Sequence, residues 1–191
     1  MIDPDDSILI FINYKQEFFG HCFSKMEFIM GMDYISEFAD RYNIPVVFTE
    51  RHLNYPVQDR KVMERRTKKE ENRKKNMAPP STYDKKFIED FSKKIHIVDP
   101  IKVEKEDIFY HSNVEEKLRS YNRNTLLFGG FFTDTDVFIS SINAGIREFR
   151  SLVVSDLSST YSERLYFQSL EMISQFIDVI DTRDLMKIFE P

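Results

Sequence analysis

Short apolar runs bounded by polar turns recur at Ile8–Ile12, Pro45–Thr49, Ile95–Val98 or Ile101–Val103, Thr125–Phe128, Leu152–Ser155 and Phe176–Ile180. Each is β-branched or aromatic without strict alternation, the pattern of a strand covered on both faces. Between them, apolar positions fall three or four apart. Phe28, Ile29, Met32, Ile35 and Phe38 do so over Met26–Tyr42, and Val114–Tyr121, Val137–Phe149 and Glu163–Gln175 follow suit. This β, α, β order predicts an α/β fold, a three-layer α/β/α Rossmann-like sandwich around a mainly parallel sheet of about six strands.

Ser24 with Glu27 has capping-box spacing ahead of the first long helix, and Ser162 or Thr160 is placed to cap the helix containing Leu165 and Leu170. No repeat or linker interrupts residues 1–191, which read as one domain; Leu53–Tyr83, with the breaker Ala78-Pro79-Pro80-Ser81, reads as an irregular basic insertion or lid. Ligands of such sheets bind beyond the carboxyl ends of the strands, near the point where strand order reverses. Asn13, Glu50 and the turn Phe131–Asp136 all fall at such ends.

Composition narrows the possibilities. The 191 residues are 41% hydrophobic and 14% aromatic, enough for one sizeable core. No apolar run is long enough to span a membrane, and the acid-led start MIDPDDSILIF does not resemble a secretory signal, so the expected location is cytoplasmic. A single cysteine, Cys22, agrees with a reducing compartment. The formal charge of −5 hides a contrast: Arg60–Lys75 carries nine Lys and Arg against three Glu, a balance of +6, which leaves −11 for the rest. The run reads as a solvated helix or arm, because acids interleave with the cations and no aromatic residue stands among them to stack on bases. An interaction module binding nucleic acid or protein through Arg60–Lys75 is the alternative.

Two segments carry a resemblance. ILIFINYKQEFF from Ile8 and GGFFTDTDVFISSINAG from Gly129 resemble the motifs "hhhIDMQxDFF" and "GxxTDxCV" of the isochorismatase-like hydrolases, or cysteine hydrolases. RYNIPVVFT from Arg41, VEEKLRSYNRNTLLFGG from Val114 and SLVVSDLSSTYSE from Ser151 match that family's helix and strand pattern in order and spacing, so the likeness runs from about Ile8 to Ile180. It implies a small-molecule site built on a triad: a nucleophilic cysteine, an aspartate that activates it and a lysine that orients the acid. Here the aspartate position is Asn13 and the cysteine position is Asp136.

An amide cannot accept a proton at neutral pH, and a carboxylate is a poor nucleophile toward amides. A degenerate triad without cysteine-hydrolase activity, with small-molecule binding possible, is the leading expectation. The isochorismatase branch of the family also lacks the cysteine and works by proton donation, which leaves an active hydrolase with Asp136 as general acid as an alternative; capping of the following helix is the structural reading of the same residue. The lysine is Lys105 by the match of Lys102-Val-Glu-Lys105 to "VxEK", with Lys102 as the other candidate.

The resemblance further implies that Phe131, Phe132 and Thr133 form a substrate-binding turn, with a non-proline cis peptide at Phe131-Phe132 and the following amides as an oxyanion hole. Glu50 and His52 are expected at the pocket mouth. Glu50-Arg-His52 faintly resembles a zinc-holding Asp-x-His, but His21, His96 and His111 lack matching spacing, so no metal and no other cofactor is expected. Cys22 is expected to be an inert thiol. Relatives assemble, which implies a homodimer or larger homo-oligomer.

Overall fold

The computed structural model describes residues 2–14, 16–19, 22–52, 60–74, 86, 89, 93 and 99–190. Six apolar runs form strands β1 (Ser7–Ile12), β2 (Val46–Arg51), β3 (Ile101–Val103), β4 (Thr125–Phe131), β5 (Arg150–Ser159) and β6 (Asp178–Ile180). All pair in parallel, in the order β3-β2-β1-β4-β5-β6. The order reverses between β1 and β4, so their carboxyl ends border one crevice.

Alternate residues of β1 explain the layers, since successive strand side chains point to opposite faces. Leu9 and Phe11 join one buried cluster with Phe28, Met32 and Ile35 of the helix Lys25–Arg41 and with Leu185 and Phe189 of the helix Thr182–Phe189. Ile8, Ile10 and Ile12 join the other, with Val114 and Leu118 of the helix Val114–Arg119, Ala144 of the helix Phe138–Ile146 and Ile173 of the helix Glu163–Ile173. The expected sandwich is therefore present, with every strand pair parallel.

Boundaries moved where tertiary contacts outweigh local pattern. β4 and β5 run on to Phe131 and Ser159 across a register irregularity between Phe128 and Gly130. Gly130 is obligatory there: its φ is +107°, and a Cβ would come 2.0 Å from the Ile12 carbonyl oxygen. A short helix, Gln16–Phe19, follows β1, and a π turn, Thr133–Val137, precedes the helix Phe138–Ile146. The terminal helix Thr182–Phe189 was not anticipated, although Asp181 caps it by accepting from the Asp184 amide at 2.8 Å.

The expected side-chain cap of Ser24 does not form. Its hydroxyl is instead within reach of the Ser159 hydroxyl at 3.4 Å and the Cys22 thiol at 3.9 Å. Ser162 makes no cap bond either, and the Thr160 hydroxyl donates to Asp134 at 2.8 Å. Part of the insertion is regular: Arg60–Lys74 is a helix. The strand alternative Ile95–Val98, the breaker Ala78-Pro79-Pro80-Ser81, His21 and His96 lie outside the described residues.

Candidate functional site

Asn13 directly follows β1 in the left-handed region, φ 52°, a conformation asparagine tolerates better than most residues. Its backbone amide bonds the Thr49 carbonyl of β2 at 2.8 Å, which fixes the side chain over the β1–β4 crevice. There the Nδ2 group donates to the Phe131 carbonyl and to Asp136 Oδ1, both at 2.9 Å, while Oδ1 accepts from the Arg51 amide at 2.8 Å. Two residues 123 positions apart thus meet at one buried point, with Asn13 2% and Asp136 1% exposed.

The direction of that bond carries the chemistry. An amide nitrogen only donates and an ionised carboxylate only accepts, so Asn13 gives a proton bond to Asp136. An aspartate at position 13 would face a carbonyl and a second carboxylate with nothing to donate. The residues at 13 and 136 therefore fit each other, and their hydrogen-bond polarity is the reverse of an acid activating a thiol.

Arg51, which the sequence reading passed over, supplies the cation. Its Nε lies 2.9 Å from Asp136 Oδ1 and its Nη1 2.9 Å from Glu106 Oε1. Alternation along β2 was the missed signal: Val47 belongs to the cluster shared with the helix Phe138–Ile146, so Thr49 and Arg51 point to that same side. Glu106 is held in turn by Arg66 Nη2 at 2.6 Å, and its carbonyl accepts from the Ser140 hydroxyl at 2.9 Å. No sequence motif flagged it, because it depends on a loop folding back against Ser140.

Burial pushes the Asp136 carboxyl up to about 6, against the opposing pull of Arg51 and the bonds from Thr135 and Asn13. Arg51 does not win because loss of hydration is the largest influence on the buried carboxylate; Glu106, which shares the guanidinium, adds a smaller push in the same direction. The remaining Asp136 oxygen, Oδ2, accepts from the Thr135 hydroxyl at 2.9 Å, and none of its bonds goes to a helix amide, so Asp136 does not act as a cap.

The other expected residues are placed as follows. The Phe131-Phe132 peptide is cis. Phe131 is a core residue, its ring stacked 5.2 Å from Phe28, and presents only its carbonyl to Asn13. Phe132 packs against Phe18 at 4.9 Å and Tyr161 at 5.9 Å. Lys102 lies on β3 and is exposed, while Lys105 follows that strand with its ammonium 5.9 Å from the Tyr110 ring centre.

Glu50 and His52 are half-buried beside Arg51 at the end of β2. Thr49 Oγ1, His52 Nε2 and Thr133 Oγ1 are buried with no hydrogen-bond partner among the described residues. These atoms stand at the ends of β2 and β4, the two strands flanking β1 and Asn13. Among the described residues no three His, Cys, Asp or Glu side chains gather as metal ligands, and no helix is long and apolar enough to cross a membrane. Cys22 is buried in the cluster with Phe19 and Phe28, and burial pushes its thiol up, which disfavours the thiolate.

The fold has close company. A cysteine hydrolase from Pseudomonas syringae pv. phaseolicola superposes with a TM-score of 0.70 at 10% identity, covering 97% of this chain and 93% of that one. A pyrazinamidase/nicotinamidase from Streptococcus mutans gives 0.65 at 15% identity, covering 91% and 99%. The YcaC gene product of Escherichia coli, described as an octameric hydrolase of unknown specificity, gives 0.63 at 14% identity, covering 94% and 77%. No curated protein matches the sequence. The Isochorismatase domain, however, matches residues 7–184, nearly the whole chain, and with the strand order and crevice it establishes that this protein belongs to the isochorismatase family.

Proposed function

We propose that the chain is an isochorismatase-family protein without cysteine-hydrolase activity, whose crevice binds a small polar ligand. The observation that carries this reading is the bond from Asn13 Nδ2 to Asp136 Oδ1. It occupies the two positions where the family pattern has a base and a thiol, and neither side chain performs those roles. Ligand binding is supported by the partnerless Thr49, His52 and Thr133 atoms around the crevice, because buried polar groups ordinarily find a partner in protein, water or ligand. Arg51 is already committed to Asp136 and Glu106, so those hydroxyl and imidazole atoms favour a neutral polar ligand over an anion. As in the octameric relative, assembly into a homo-oligomer is part of the proposal, and so is a reducing, cytoplasmic location for a chain with one buried cysteine.

The test is an amide-hydrolysis assay with nicotinamide alongside thermal-shift screening of small amides, alcohols and acids. The expected result is no turnover together with stabilisation by a subset of the uncharged ligands, lost in Thr133→Val. Turnover that iodoacetamide abolishes would refute the reading.

A second reading rests on the raised Asp136 carboxyl: protonated below about pH 6, it acts as general acid toward a vinyl ether. It predicts turnover that declines as pH rises through about 6 and disappears in Asp136→Asn. Enclosure by three protein donors and an exposure of 1% weigh against it.

A further inference from the structure

Interleaving in sequence is not interleaving in space. On a helix advancing about 100° per residue, Lys61, Arg65, Lys68 and Lys69 fall within an arc of about 100°. All are exposed, whereas Met63 and Arg66, on roughly the opposite side, are half-buried. Arg66 reaches inward to Glu106 at 2.6 Å and so sets which face turns outward. Glu64 and Glu71 lie on the flank, and Glu64 accepts from Arg60 at 3.1 Å. What reads as a mixed run is a cationic face with an acidic edge.

Lys61, Arg65 and Lys69 succeed one another four residues apart, the spacing at which like charges destabilise a helix. A polyanion laid along this face would relieve that repulsion. An anionic membrane fits less well, because interfacial helices bury a broad apolar face, and here Val62 and Met63 are the apolar residues of Arg60–Lys74.

We propose that the outward face of the helix Arg60–Lys74 binds the phosphate backbone of nucleic acid, independently of base sequence. The sequence-independence follows from the absence of aromatic side chains on this helix, which leaves charge as the recognising element. The inference does not depend on what the crevice binds.

Fluorescence anisotropy of a labelled single-stranded RNA of mixed sequence tests it across 50 to 200 mM salt. Four backbone contacts give a log–log slope near −2.8, so binding weakens about 50-fold over that range. The variant carrying Lys61→Gln, Arg65→Gln, Lys68→Gln and Lys69→Gln should lose both the binding and the slope with a melting temperature no lower than that of the wild type. A control with Lys117→Gln, Arg164→Gln, Arg183→Gln and Lys187→Gln, all exposed elsewhere, should keep them. Absence of wild-type binding, equal losses in the two variants, or uptake by phosphatidylserine vesicles in preference to RNA would overturn the proposal.

Discussion

The crevice and the basic helix use charge in opposite ways. In the crevice, Asp136, Arg51 and Glu106 alternate in sign, the first buried and the other two half-buried, and are each held by more than one partner. On the helix, like charges stand side by side in solvent, where screening makes each weak. Arg66 joins the two regions through Glu106. Removing one buried partner therefore strands another, whereas removing an exposed one changes mainly the surface field.

The sharpest way to break the contrast is Asn13→Asp. Two carboxylates 2.9 Å apart, with no donor for the Phe131 carbonyl, should cost about 3 to 5 kcal/mol in urea unfolding at pH 7. The cost should shrink as pH falls, beginning above the wild-type Asp136 value of about 6, because the second carboxylate makes the pair take up its shared proton earlier. Adding Asp136→Cys should recover much of the loss, a coupling that a double-mutant cycle measures directly.

Next in size is the pH dependence of stability. Asp136 titrates near 3.8 unfolded and about 6 folded, so between these values the native state holds the extra proton. Its contribution is thus most favourable below about pH 4 and is lost as pH rises through about 6, a change of about 3 kcal/mol. Urea midpoints measured from pH 4 to 7 should show this decline in wild type, and Asp136→Asn should flatten it.

Smaller again is Arg66→Ala. Its guanidinium is 37% exposed, so solvent screens the pair with Glu106 and the loss in urea unfolding should stay within about 1 kcal/mol. An equal effect from Arg66→Ala and Arg51→Ala would erase the distinction between the two regions.

How far the sequence foretold this arrangement varied with the kind of information each element needed. β1 and β4 were legible because continuous apolar runs ending in Asn13 and in Gly-Gly-Phe-Phe are local signals. The meeting of Asn13 with Asp136 was readable from strand order and family resemblance together. Arg51 was readable in part: alternation along β2 sets it on one face with Val47 and Thr49, but choosing that face over the one of Glu50 and His52 requires knowing which helix covers it. Glu106 and the outward face of Arg60–Lys74 depend on one long-range contact, Arg66 to Glu106, that no local pattern encodes. The helix Thr182–Phe189 was simply overlooked: Asp181 with Asp184, followed by Leu185 and Phe189, is a readable start and stripe.

The reversed hydrogen bond also orders history. Moving from an aspartate–cysteine pair to this one, a lineage that first introduced a carboxylate at 136 would have passed through two facing acids. Changing position 13 first avoids that pair. On the proposed reading, a change at 13 that precedes the buried acid at 136 is the route that never sets two acids face to face, and relatives with an amide opposite a thiol would be its surviving intermediates.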